Sequence, residues 1–334
     1  MFKKYTSIEN TYRKEFLDRI LGHELWDKTY IIQEKAHGAN ISFWTTDGVN
    51  FTAAKRTADL QPGEKFYNFE QVLEANLDSM KAIWVAVQKE VSELHQLTFY
   101  GELIGGHYPH ESVEKVKNAI KVQKGVSYCP DNRFYAFDIQ VNCDSFLDVD
   151  HCNELFESNN MLYAKTLFEG KLEECLAYSN EFDSTIPALM GLPAISPNIC
   201  EGVVIKPKES CFFNNGTRVI LKNKNEKWSE REKKPKKSGK AQEPLPEKVV
   251  ELREALATYA TANRLYNVLS KIGEVTMQDF GQIIGAFNKD AIVDFLKDYG
   301  TEFSQLEKSE QKMVNKSVAT KTSRLIKDYF KGNL

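Results

Sequence analysis

Apolar residues along this chain change their period twice. The first stretch is extended: Tyr30-Ile31-Ile32, Ile41-Ser42-Phe43-Trp44 and, after an Asp47-Gly48 turn, Phe51-Thr52-Ala53-Ala54 read as strands in close succession. The period then lengthens. Phe69, Val72, Leu73, Leu77, Met80, Ile83, Trp84, Val87 and Val91 follow helical spacing and predict a long amphipathic helix over about residues 69–94, with its aromatic and Met positions in the core. Strands are expected again over 97–103, 133–141, 202–206 and 217–221. Beyond them Val249, Leu252, Leu256, Tyr259, Tyr266 and Leu269 recur at helical intervals up to Gly273. Thr276 is placed to cap a helix presenting Phe280, Ile283, Ile284 and Phe287, and two further helices are expected after it. The pattern predicts an α+β chain: a sheet-rich domain with helices packed outside, then an all-helical domain.

Composition adds bounds. The 334 residues suggest about two domains, and 42% hydrophobic with 27% charged residues is ordinary for a globular protein. The first twenty residues carry Glu9, Glu15 and Asp18 and no long apolar run, so neither a secretory signal nor a transit peptide is expected. No stretch is long enough to span a bilayer. An intracellular location follows as an expectation, cytoplasmic or, for a viral protein, in the host nucleus or cytoplasm. The six cysteines are scattered without a Cys-x-x-Cys pair, so Cys152 beside His151 is read as a buried or incidental thiol, not as part of a zinc site. The net charge of -3 averages unlike segments. From Lys222 to Lys240 basic residues outnumber Glu226, Glu230 and Glu232, and Pro235, Ser238, Gly239, Pro244 and Pro246 give the run a linker composition. The expected division is a sheet-rich domain over 1–230, a basic tether over 231–247 that also touches phosphates, and a helical domain over 248–334.

The richest chemistry lies in Glu34-Lys35-Ala36-His37-Gly38-Ala39-Asn40, which sets one amine between two strands beside a glycine. A lysine nucleophile needs its neutral form, favoured by desolvation or by nearby positive charge. Lys222 and Lys224 are two apart in a strand-like run, so they project from one face and could supply that charge while neutralising phosphate. A lone Lys-x-x-Gly is common and says little. Here it is followed in order by Ala54-Lys55-Arg56-Thr57, Tyr100-Gly101-Glu102-Leu103, Phe134-Tyr135-Ala136-Phe137-Asp138-Ile139, Glu201-Gly202-Val203-Val204-Ile205-Lys206-Pro207 and the Lys222/Lys224 run.

This ordered set resembles the covalent nucleotidyltransferases, which comprise RNA ligases, DNA ligases and messenger-RNA capping enzymes. Lys35-x-His37-Gly38-x-Asn40 is similar to the RNA ligase 2 family, typified by a bacteriophage double-strand RNA ligase and including the kinetoplastid RNA-editing ligases. The run from Gly101 to His110 resembles the latter branch, and residues 263–274 resemble the family's tail domain, so the likeness spans essentially the whole chain. It implies an antiparallel-sheet-rich, ATP-grasp-like nucleotidyltransferase domain followed by helices. It also implies an ATP-dependent enzyme with Mg²⁺ or Mn²⁺ that seals 3′-hydroxyl/5′-phosphate nicks in duplex RNA or an RNA-DNA hybrid, acting as a monomer without a membrane.

Residue by residue, the resemblance implies that Lys35 takes up AMP, that Glu34 helps read the adenine amine, that Phe137 stacks on the purine and that Glu102 accepts a ribose hydroxyl. Asn40, Lys206, Lys222 and Lys224 join the nucleotide site. Glu201 and Asp138 orient metal-bound water, Arg56 grips phosphate or the terminal ribose, and His37 serves the passage of AMP to the RNA 5′-phosphate. Phe66 and Tyr67 match an aromatic pair that contacts the duplex, and Arg264 and Asp290 match positions tied to sealing. Strict alternation puts Tyr135 and Phe137 on one side of their strand, with Ala136 and Asp138 on the other. It likewise separates Glu201 from Lys206, unless a bulge intervenes. Ala39 and Ala58 depart from the phage pattern at a threonine and a glycine; Ala58 makes a positive φ costly beside Arg56. The competing readings are a DNA ligase, which ordinarily carries an OB domain after the last lysine motif, and a catalytically decayed RNA-binding relative.

Overall fold

The computed structural model describes residues 1–228 and 246–334, so the expected basic tether lies outside the described residues apart from Pro246 and Glu247. The chain divides into two compact units, Met1–Lys227 and Trp228–Leu334.

The strands of the first unit are β1 (Glu9–Asn10), β2 (Thr29–Glu34), β3 (Ala39–Thr45), β4 (Thr52–Lys55), β5 (Ala58–Asp59), β6 (Leu97–Gly105), β7 (Asn132–Val141), β8 (Ser145–Phe146), β9 (Thr166–Lys171), β10 (Gly202–Pro207) and β11 (Leu221–Lys224). Its helices are α1 (Lys14–Gly22), α2 (Phe69–Glu90), α3 (Val149–Ser158), α4 (Leu172–Ala177) and α5 (Ile186–Leu189). Two sheets result, ordered β1-β11-β10-β2-β9 and β5-β4-β3-β6-β7-β8. Their pairings are antiparallel except for β1 beside β11. Because β2 and β3 belong to different sheets, Lys35-Ala36-His37-Gly38 is the crossover from one sheet to the other.

Alternation along the strands separates an outer from an inner face. The outer face of the six-stranded sheet sets Ile41, Phe43, Phe99, Leu103 and Ile139 against Val72, Met80, Ile83 and Trp84 of α2 and Leu155 and Phe156 of α3. That of the five-stranded sheet sets Tyr30, Ile32, Val203 and Ile205 against Phe16 and Ile20 of α1. Each such fully buried side chain contributes roughly 1.5–3 kcal/mol. Between the sheets Tyr5, Tyr100, Phe146 and Ile220 meet, with Phe137 and Val204 packed against them.

Two expected boundaries move. Helix α2 ends at Glu90, where Val91 turns extended (φ -106°, ψ 111°) after donating to Val87. The last strand begins at Leu221, because Val219 instead donates to the Cys211 carbonyl and Arg218 bridges Phe212. Cys152 is buried in the core while the adjacent His151 pairs with Glu90 at 3.1 Å, so the two share no site.

The described part of the second unit is helical: α6 (Glu247–Ala257), α7 (Ala262–Ile272), α8 (Phe280–Ser304) and α9 (Lys308–Phe330). The helical run expected up to Gly273 is two helices, with Thr261 capping the second by accepting from the Arg264 amide. Thr276 opens a short 3₁₀ turn into α8, closed reciprocally by Asp279. Helix α8 is kinked at Tyr299 (φ -131°, ψ 16°), which sets its last turn apart from the segment Thr276 leads into, and α9 follows. The core of this unit joins Val249, Leu252, Leu256, Leu265, Val268, Ile283, Phe287, Phe295, Val314 and Val318. No described helix is long and apolar enough to cross a membrane.

Candidate active site

Three backbone amides fix the crossover that carries Lys35. The Lys35 amide donates to the Gly202 carbonyl at 2.9 Å, His37 to the Tyr128 hydroxyl at 2.8 Å and Gly38 to Glu102 at 3.1 Å. A Cβ on Gly38 would lie 2.3 Å from the Leu103 carbonyl oxygen, so only glycine lets the crossover lie this close to β6. The Lys35 ammonium then reaches Glu201 at 2.7 Å, Lys224 reaches the other oxygen of the same carboxylate at 2.8 Å, and His37 Nδ1 stands 3.7 Å away. Burial alone would raise the Glu201 pKa; Lys224, Lys35 and His37 outweigh it and hold the carboxyl well below its ordinary range.

Glu201 reaches this inner face through a backbone device. Gly202 has φ 136°, which breaks alternation at the start of β10, and a Cβ there would meet the Asn223 carbonyl oxygen at 2.1 Å. Val204 pairs with Lys222 and Gln33, Lys206 with Ile31 and Gly202 with Lys224, so Lys206, Lys222 and Lys224 lie on the inner face. The separation of Glu201 from Lys206 expected from strict alternation is therefore absent.

Across the gap, Asn40 on β3 pairs with Glu102 on β6, and its side chain donates to the Gly101 carbonyl at 3.3 Å. Burial, opposed by Lys35 and reinforced by Glu201, pushes the Glu102 carboxyl up to about 7. Arg56 donates to the Tyr5 carbonyl at 2.5 Å. Burial lowers its pKa, partly offset by Tyr5 and Glu102.

Strand β7 departs from the expected parity. Asp138 pairs with Tyr100 and Ala136 with Gly101, leaving Phe137 as the extra residue of a bulge. Phe137 and Asp138 thus both face inward, Phe137 with its ring 4.9 Å from that of Tyr5. Asp138, expected beside metal-bound water, is instead 0% exposed and bound by Arg218 at 2.9 and 3.2 Å, by Lys206 at 3.0 Å and by the Tyr5 hydroxyl. Burial is again outweighed, by Arg218 and then Lys206, and the Asp138 carboxyl falls to about 2. The same Lys206 ammonium caps the bulge by donating to the Phe137 carbonyl at 3.0 Å. Asp138 and Lys206 brace the inner face instead of opening onto it. Neither Tyr5 nor Arg218 stood out in the sequence; Arg218 begins the run that ends in Lys224, and nothing local marks Tyr5.

Three further expectations shift. Glu34 lies on the opposite face of the chain from Lys35, and its carboxylate accepts from Ser184 Oγ at 2.6 Å and from the Thr185 amide and hydroxyl at 2.7 Å, so its acceptor sites are already engaged by the protein. Phe66 is 1% exposed and Tyr67 is also buried; both belong to the core under α2 and offer no ring to a duplex. In the second unit Arg264 is buried and joins α7 to α8 through Asp290, Asp294 and the Tyr259 carbonyl, while Lys271 also holds Asp290 at 2.7 Å. These two residues form an interhelical brace.

Among the described residues no group of three or more His, Cys, Asp or Glu could enclose a metal ion. The donors present suit a cation held by one carboxylate, Glu201, together with substrate phosphates and water, which is how Mg²⁺ is commonly bound. The cationic inner face around Lys35, Lys222 and Lys224 suits phosphate oxygens.

Comparison with known proteins agrees in extent. Over a quarter of aligned positions, 28%, are identical to mitochondrial RNA-editing ligase 2 of Trypanosoma brucei brucei, across 98% of this chain and 90% of the relative. Mitochondrial RNA-editing ligase 1 of that organism is 25% identical across 90% of this chain and 77% of its own length. An apo RNA ligase variant of Naegleria gruberi superposes with a TM-score of 0.47 at 16% identity, over 68% of this chain and 57% of that one. Another variant of the Naegleria enzyme, with ATP and Mn, gives a TM-score of 0.45. The T4 RNA ligase 2 C-terminal family matches residues 242–324. The RNA ligase family matches residues 28–224, from β2 through the Lys35 crossover to the end of β11, and a match over more than half of the 334 residues makes this chain a member of the RNA ligase family.

Proposed function

We propose that the protein is an ATP-dependent RNA ligase that seals 3′-hydroxyl/5′-phosphate nicks in duplex RNA or an RNA-DNA hybrid. The observation that carries the reading is the Glu201 carboxylate gripped by Lys35 and Lys224, with His37 beside it, on the crossover between two sheets. Lys35 gives its surplus protons to solvent and forms a P–N bond to the α-phosphorus of ATP as the bond to pyrophosphate breaks. Lys222 and Lys224 face the charge that develops on the phosphate oxygens, and Phe137 offers an aromatic face to the base. Glu102, charged or protonated near neutral pH, can accept from or donate to a ribose hydroxyl. Mg²⁺ held through Glu201 would supply further neutralisation of phosphate charge. AMP then passes from Lys35 to the RNA 5′-phosphate, with His37 nearby, and a 3′-hydroxyl attacks that phosphate to displace AMP and close the strand. The helical second unit, matched to the T4 RNA ligase 2 C-terminal family, is the candidate for engaging the duplex.

The test is sealing of matched nicked duplexes with ATP and Mg²⁺, varying RNA or DNA on the 3′-hydroxyl side. Sealing that requires Lys35 and a terminal ribonucleotide supports the reading. Equal sealing of all-DNA nicks would make it a DNA ligase, and failure to label with α-³²P-ATP would leave an RNA-binding protein.

A further inference from the structure

The Lys35 crossover is bracketed by a hydrogen-bonded circuit that leaves the chain at Glu34 and returns at His37. On the outer side Glu34 is held by Ser184 and Thr185. The Ser184 amide donates to the Asn198 carbonyl at 2.9 Å, and the Asn198 amide donates to Asp183 at 2.6 Å. The Asn198 side chain clasps Ser127 from both sides, accepting from its amide at 2.9 Å and donating to its carbonyl at 2.8 Å. The next residue, Tyr128, is fully buried, and its hydroxyl accepts the His37 amide. Four separate stretches of chain thus close a ring around one nucleophile.

We infer that Tyr128 is a positioning residue for His37, holding the crossover so that the imidazole stands over Glu201. The amides on either side have their own partners: Lys35 is tied to Gly202 and Gly38 to Glu102. The Tyr128 hydroxyl therefore governs the middle of the crossover, where His37 starts, more than the placement of Lys35. A buried amide robbed of its acceptor moves to find another, and ångström-scale displacement of a reacting group costs rate. This inference rests on the ligase reading for its kinetic part, in which His37 serves AMP transfer.

Tyr128→Phe keeps the ring and removes one oxygen. With α-³²P-ATP, lysyl-AMP formation is expected to fall less than threefold, whereas chase of the isolated adenylylated enzyme onto a nicked duplex slows about tenfold. Asn198→Ala should give the same split, and the double variant should be little worse than either single one, because both open one ring. The His37 backbone amide, deprived of its acceptor, should exchange with solvent about tenfold faster in Tyr128→Phe than in the wild type, as read by hydrogen–deuterium exchange. Wild-type behaviour of Tyr128→Phe in both steps, or equal losses in both that track a lowered Tm, overturns the inference. If the wild type takes no label, the ligase reading fails; the His37 amide exchange needs no ATP, and an unchanged exchange rate would then sink the circuit separately.

Discussion

Glu201 and Asp138 are both carboxylates buried between two cations in the same unit, yet they are built for opposite ends. Around Asp138 everything is sealed: Lys206 and Arg218 are each 2% exposed, and Tyr5 closes the remaining side. Around Glu201 the cations keep a path to water, with Lys35 20% and Lys224 13% exposed. Both carboxyls are held ionised against burial by their neighbours. Charge composition does not separate a reactive cluster from a brace; access does. A lysine that must meet a nucleotide has to be paired loosely enough to leave its partner, whereas one that caps a bulge must not leave at all.

Mutations can break this comparison at several points. Lys35→Ala should lower labelling by α-³²P-ATP more than about a thousandfold while leaving Tm nearly unchanged, since Lys224 stays on Glu201. Retained labelling would remove Glu201's cluster from the chemistry. Asp138→Asn leaves Lys206 and Arg218 buried without a countercharge and should cost about 3–5 kcal/mol in urea unfolding of the first unit. Because the folded Asp138 carboxyl titrates at about 2 instead of 3.8, the stability it contributes is present above pH 3.8 and lost as pH falls from there toward 2.

Glu102 sharpens the contrast from the other direction. Its pKa is raised from 4.5 to about 7, so its ionisation penalises folding progressively as pH rises from 4.5 to 7 and fully above that. Glu102→Gln should accordingly stabilise the protein by up to about 3 kcal/mol at pH 8, a gain that fades toward pH 4.5 in paired denaturation curves. A gain that does not vary with pH would mean that the carboxyl is not titrating there. A smaller loss than that of Asp138→Asn is expected from Glu201→Gln, because Lys35 and Lys224 keep a path to water and need not stay buried without a countercharge. A loss as large as that of Asp138→Asn would erase the distinction between the two clusters.

How much of this was legible depended on range. Helix α2 and most strands followed from the spacing of Val72, Met80, Ile83 and their neighbours, because burial on one face imposes its own period. The meeting of Lys35, Glu201 and Lys224 could be expected from ordered motifs. Facing was harder, since one positive φ at Gly202 and one bulge at Phe137 each reset alternation; a glycine permits such a φ without requiring it, and no residue type marks the bulge. Phe66 and Tyr67 were ambiguous because the same rings serve a core or a ligand. Tyr5, Tyr128 and Arg218 act across 133, 91 and 80 residues, respectively, distances over which local pattern is silent.

The bulge in β7 behaves like a dislocation in a crystal: one extra unit is inserted and the lattice resumes on either side. Ala136 opposite Gly101 and Asp138 opposite Tyr100 are the partners that a regular ladder would choose if Phe137 were missing. Deletion of that single residue, backbone included, would therefore heal the strand instead of scrambling it, leaving Tyr135 and Asp138 inward and Ala136 and Ile139 outward. The aromatic face is a removable graft on a sheet complete without it, and a one-codon deletion is a cleaner way to subtract it than any substitution.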